Sequence, residues 1–180
     1  MSLPAKKPLT YTDYAALPEG EPYQLIGGTL VLNPAPTPYH QRISRNLGIL
    51  WQEFLRENSL GEVLFSPIDV YFSDTEVYQP DLIVVLKDRL DIIGEQKIEA
   101  PPDLVAEILS PSTGYYDLKH KKQVYERSGV KEYWVVDPME KSVEIFALVD
   151  GAYRSLGLLR EGVAASRLIA GLRVDLEKIF

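Results

Sequence analysis

Three residues stand where packing alone would not put them. A helix is expected from Asp117 to Ser128, ended by Gly129, with Leu118, Val124 and Tyr125 on its apolar face. At about 100° per residue, Lys121 falls inside that face rather than opposite it. Upstream, the run Asp103 to Leu109 alternates as a strand, so Glu107 shares a face with Val105 and Leu109. Asp81 opens another apolar strand, Asp81-Leu-Ile-Val-Val-Leu, directly after Pro80. A buried lysine needs a negative partner, and two inward carboxylates need a cation. Such a set suits a hard divalent ion and the cleavage of a phosphodiester bond beside it.

Composition narrows the chemistry further. The 180-residue chain is 46% hydrophobic and 25% charged, enough for one domain with a full core. Cysteine is absent, which removes disulfides, thiol nucleophiles and cysteine zinc sites together. With only two histidines, His40 and His120, a histidine-rich metal site is excluded and oxygen ligands for Mg²⁺ or Mn²⁺ remain. The sequence shows neither an apolar run long enough to span a membrane nor a signal-type leader, so a cytoplasmic protein is expected. A formal charge of −7 argues against a large nonspecific nucleic-acid surface. Positive charge is instead grouped, from Lys119 to Lys131 and at Arg42 and Arg45.

The elements that must position these residues read as a mixed α/β (α+β) pattern. Residues 1–10 are expected to be a flexible arm, and Thr12 to Leu17 a short helix. Tyr23-Gln-Leu-Ile and Thr29-Leu-Val-Leu flank Gly27-Gly28 as two extra N-terminal strands around a tight turn. After the proline-rich loop from Asn33, an amphipathic helix is expected from His40 to about Asn58. Strands follow at Val63-Leu-Phe, Ile68-Asp-Val-Tyr-Phe, 81–86 and 103–109. Beyond the Lys121 helix, Glu132–Asp137 and Val143–Leu148 form a C-terminal hairpin, with a strand near 153–159 and a short terminal segment. Residues 1–180 then form one domain, a mixed sheet flanked by helices.

Gln79-Pro80-Asp81, with Glu107-Ile108-Leu109 beginning 26 residues after Asp81, resembles the PD-(D/E)XK nuclease motif of the restriction-endonuclease-like superfamily. Over most of its length the chain resembles the Uma-type endonucleases within that superfamily. The matching elements are Tyr23-Gln-Leu-Ile, the Pro34-Ala-Pro loop with His40-Gln41, Gln79-Pro80-Asp81 and Glu107-Ile-Leu-Ser-Pro-Ser-Thr. Asp117 followed by Lys121 and Tyr125, and then Gly129-Val-Lys-Glu-Tyr-Trp-Val-Val-Asp-Pro, continue the match.

The resemblance implies a restriction-endonuclease-like sheet core and a DNA endonuclease dependent on Mg²⁺ or Mn²⁺. Asp81, Glu107 and the Ile108 main-chain carbonyl would hold the metal, with Gln24 as a further oxygen donor. Leu109 stands where the superfamily has its lysine, and Lys121 occupies the relocated position on the following helix. His40 would sit near the site, contacting phosphate or assisting proton transfer. Lys119, Lys122, Arg42, Arg45, Tyr115 and Tyr116 would contact nucleic acid, and a homodimer would suit cutting of both strands. One departure is that the family commonly has an acid after the first-strand tyrosine and an acid-glycine-acid turn. Here those positions are Gln24, Gly27, Gly28 and Thr29.

Structural alternatives stand beside each residue. An acid after proline is often a turn or cap residue, a strand glutamate often faces solvent, and a lysine can snorkel past a helix edge. Tyr125, Tyr133 and Trp134 suit a core. At the level of the whole protein, the competing reading is a nuclease fold with weak or lost turnover that binds nucleic acid or protein. A phosphoesterase for small nucleotide substrates is a third.

Overall fold

A computed structural model describes residues 7–18, 20–110 and 115–180, with side chains of the last segment described from Lys119 onward. In chain order its elements begin with α1 (Tyr11–Ala15), β1 (Tyr23–Ile26), β2 (Thr29–Leu32) and α2 (Pro38–Glu57). Then come β3 (Gly61–Phe65), β4 (Val70–Ser73), β5 (Glu76–Tyr78), β6 (Leu82–Leu86) and β7 (Leu104–Ile108). The chain ends with α3 (Tyr115–Ser128), β8 (Glu132–Asp137), β9 (Ser142–Val149), β10 (Ala152–Leu159), β11 (Val163–Ala165) and β12 (Arg173–Asp175).

A six-stranded sheet runs β10-β9-β8-β7-β6-β3, and a separate four-stranded sheet runs β2-β1-β5-β4. Within the larger sheet β7 and β8 pair parallel and the other neighbours pair antiparallel. A parallel pair needs a crossover connection, and α3 supplies it. The fold is thus the mixed α+β arrangement expected, with the N-terminal strands joined to β5 and β4 in the smaller sheet.

Every residue of β7 is buried, because both faces of the strand are covered. Leu104, Ala106 and Ile108 pack into the core formed with Ile43, Leu47, Trp51 and Leu55 of α2. Val105, on the other face, packs with Val124 and Tyr125 of α3 and with Tyr78 and Tyr133. Strand periodicity then leaves Glu107 no choice but to point toward α3. On the α2 side, Gly48 lets the helix come close: a Cβ there would lie 2.3 Å from the Phe65 ring.

Several boundaries differ from those read in the sequence. Pro38 and Tyr39 belong to α2, because proline fits the first helical position, and the Thr37 side chain caps the turn by accepting the His40 N–H at 3.2 Å. Asp81 lies just before β6 rather than inside it. The three-residue β5 is too short to show an alternation and was not expected. At the N-terminus Leu9 is tied down, its N–H donating to the Gly28 carbonyl at 2.8 Å. Gly28 has a positive φ and lies against Pro8, so a side chain there would be both strained and blocked.

At the far end of β7, the fully buried Asp103 accepts from the Leu86 N–H, Arg89 and Lys131 at 2.9, 3.0 and 2.8 Å. Burial opposes its ionisation, but the bonds from Lys131, Leu86 and Arg89 outweigh that and hold the carboxyl below the usual carboxylate range. A depressed native pKa adds stability above the unfolded value, about 3.9, and that stability is lost as pH falls through the native value. Asp103→Asn is therefore expected to cost about 2 kcal/mol at neutral pH. The deficit should shrink below about pH 4, read by urea unfolding at several pH values. An equal deficit at all pH values would contradict this role.

Candidate active site

The register between β6 and β7 pairs Leu82 with Ala106, and continuing it by one residue brings Asp81 level with Glu107. At this end of the strands a cleft of about 200 Å³ opens between the N-terminus of α2, the two strand ends and α3. Gln24, His40, Asp81, Glu107, Ile108 and Lys121 all line it. Six residues singled out for metal or catalytic roles thus share one cavity.

The two carboxylates have separate partners. Lys121, 7% exposed, donates to Glu107 Oε1 at 3.0 Å, and the buried Tyr125 hydroxyl donates to the same oxygen. Asp81 has its own partners. The Ile108 N–H donates to its Oδ2 at 2.7 Å, and His40 Nε2 lies 3.3 Å from its Oδ1. The same His40 nitrogen lies 3.1 Å from the Ile108 carbonyl oxygen. Acceptor oxygens from two of the expected ligand groups therefore converge on one point, filled by the imidazole Nε2.

Burial pushes the Glu107 carboxyl above its ordinary range, the pull of Lys121 notwithstanding, and the charge of Asp81 adds to the rise. For His40, burial works against protonation, yet the bond and charge of Asp81 and the Ile108 carbonyl outweigh it and raise its pKa.

The donor set suits a hard divalent ion through two carboxylates and a main-chain carbonyl. Among the described residues, no group of three or more His, Cys, Asp or Glu side chains is arranged to hold a metal by itself. Further ligands would then be water, as is usual for Mg²⁺. Gln24 also lines the cleft, with its amide oxygen already accepting one hydrogen bond. Its Oε1 accepts the Gln79 N–H at 3.0 Å, which ties β1 to the segment carrying Asp81.

Other expected residues lie outside the cleft. Arg42 sits over the Tyr39 ring at 5.7 Å and Arg45 donates to Asn46, both exposed on α2. Lys119 is exposed, whereas Lys122 is committed to β9, its ammonium 3.3 Å from the centre of the Phe146 ring. The side chains of Tyr115 and Tyr116 fall outside the described residues. Tyr133 and Trp134 are buried core, as expected. Tyr125 is core as well, but its hydroxyl reaches Glu107, which its place on an apolar helix face did not disclose.

A sheet ending in two carboxylates, with a helix-borne lysine beside one of them, defines a nuclease-like fold. The chain belongs to the Uma2 family, described as "putative restriction endonuclease", whose model matches residues 11–177. Among solved structures it is similar to one titled a putative nuclease belonging to DUF820, from Anabaena variabilis ATCC 29413. The two are 20% identical, with 96% of this chain and 98% of that one covered and a TM-score of 0.81. No curated protein matches the chain.

The Glu107–Lys121 pair gives a stability test independent of activity. Lys121→Met leaves a buried carboxylate unpaired and is expected to cost about 3 kcal/mol. Adding Glu107→Gln should restore about half or more of that loss, because the stranded charge is gone. Denaturant unfolding of the four proteins in the cycle measures the coupling. Strictly additive losses would show that the two side chains do not depend on each other.

Proposed function

We propose that the protein is a Mg²⁺- or Mn²⁺-dependent DNA endonuclease that hydrolyses phosphodiester bonds in the cleft between β6, β7 and α3. The observation that carries this reading is the convergence of Asp81 and the Ile108 carbonyl on one point, next to a Glu107 already paired with Lys121. A divalent cation held by Asp81, Glu107 and the Ile108 carbonyl would neutralise phosphate charge and lower the pKa of a bound water. Asp81 is held for this by the Ile108 N–H, and Glu107 by Tyr125 and Lys121.

Lys121 has a second task besides holding Glu107. In this reading its ammonium would orient the attacking water and stabilise the charge that gathers on the phosphorus oxygens. The water oxygen forms a bond to phosphorus in line with the ester P–O bond that breaks, and the departing oxygen takes up a proton. His40, beside Asp81 and the Ile108 carbonyl, is a candidate for that proton transfer or for a phosphate contact. Lys119, Arg42 and Arg45 are exposed and free to meet the backbone of a duplex wider than the cleft, an electrostatic contact that weakens with salt. A homodimer would place two such clefts for cutting both strands.

A second reading, a nuclease fold that binds without cutting, is favoured by Gln24. It replaces a charge with an amide whose oxygen is already engaged. Two measurements decide between the readings. Plasmid DNA should be nicked in the presence of Mg²⁺ or Mn²⁺ by the wild type, and Asp81→Ala or Glu107→Ala should lower the rate by a factor of about 100 or more. Calorimetric titration should show Mn²⁺ binding that both substitutions abolish. Equal nicking by wild type and variants would overturn the endonuclease reading, and no Mn²⁺ binding at millimolar metal would favour the binding protein.

A further inference from the structure

Glu76 lies on β5, outside the cleft, and is only 3% exposed. Its Oε2 accepts the Gly27 N–H at 2.9 Å and the Tyr78 hydroxyl. Its Oε1 accepts from Arg127 Nη2 at 2.9 Å and lies 3.0 Å from His120 Nε2. One carboxylate thus ties three segments together: the β1–β2 turn, β5 and α3. Burying a carboxylate is costly without partners, and four donors on one side chain is an unusual concentration of them.

The two donors from α3 are informative by position. His120 immediately precedes Lys121, and Arg127 lies about two helical turns beyond His120, on the same face. Bonds at two such points fix both the rotation of a helix about its axis and its shift along it. A second route runs through Tyr78. Its hydroxyl is held by Glu76, its ring centre lies 5.6 Å from Lys121 Nζ, and it packs edge-on to Tyr125 at 5.8 Å. Both side chains that hold Glu107 therefore lean on something Glu76 fixes.

We propose that Glu76 is a positioning residue for the site, locking α3 through His120 and Arg127 and so setting Lys121 and Tyr125 against Glu107. The kinetic part of this proposal rests on Lys121 acting at the phosphodiester, as argued above. The structural part does not.

The test uses Glu76→Gln and, as a second route, the double variant His120→Ala/Arg127→Met, which leaves Glu76 its bonds to Tyr78 and Gly27. The ammonium ¹⁵N resonance of Lys121 should shift or broaden in both variants while β6 and β7 amides stay protected from hydrogen exchange. In cleavage assays kcat should fall on the order of tenfold with KM within about twofold of wild type. In a Lys121→Ala background, Glu76→Gln should add less than about a twofold loss. An unchanged Lys121 resonance in both folded variants would overturn the proposal, as would an equal fold-loss with and without Lys121. If Glu76→Gln fails to fold, the double variant decides. If the wild type does not cleave DNA, the endonuclease reading fails and the resonance still decides the role of Glu76.

Discussion

The site depends on one constraint, that β7 is covered on both faces. With α2 packed on Leu104, Ala106 and Ile108, the alternate side chains must meet α3. Four of the five strand residues satisfy this with apolar side chains, and the exception is Glu107. A carboxylate in that position is tolerable only with a cation and a hydrogen-bond donor at hand, and α3 supplies both in Lys121 and Tyr125. The lysine on an apolar helix face and the glutamate on a buried strand face are one feature seen from two elements. It also makes Leu109 intelligible. Leu109, two residues past Glu107, brings no charge, and the positive charge beside Glu107 comes from the crossover helix.

The neighbouring groups follow from the same geometry. Antiparallel pairing of β6 and β7 brings Asp81 level with Glu107, and the cost of two adjacent acids is spread over separate partners. Asp81 takes the Ile108 N–H and His40, while Glu107 takes the side chains of α3. Burial nonetheless holds the Glu107 carboxyl above its ordinary range, and the charge of Asp81 adds to the rise. Nothing comparable happens at Asp103, an acid on the same segment. Three donors satisfy it outright, and its carboxyl is held down rather than pushed up.

Much of this was legible in the sequence because it rests on periodicity. Helical phase picked out Lys121 among the three lysines of α3, and strand alternation put Glu107 on an inward face. What could not be read were relations set by tertiary contact. Sheet register and the cap of α2 deliver His40 to Asp81. Gln24 was weighed as an oxygen ligand, but its carbonyl is engaged by a main-chain N–H 55 residues away. Glu76 left no signal at all. In a three-residue strand there is no alternation to violate, and its partners other than Tyr78 come from a turn and from a helix more than 40 residues on.

The central claim is that acceptors at the ends of β6 and β7 form a cation site, with His40 Nε2 now lying among them. Crystals grown with Mn²⁺ and measured by anomalous scattering test it directly. The expected result is one strong peak in contact with Asp81, Glu107 and the Ile108 carbonyl, with Lys121 still paired to Glu107. A cleft without a peak at saturating Mn²⁺, or a peak bound by residues other than Asp81 and Glu107, would contradict it.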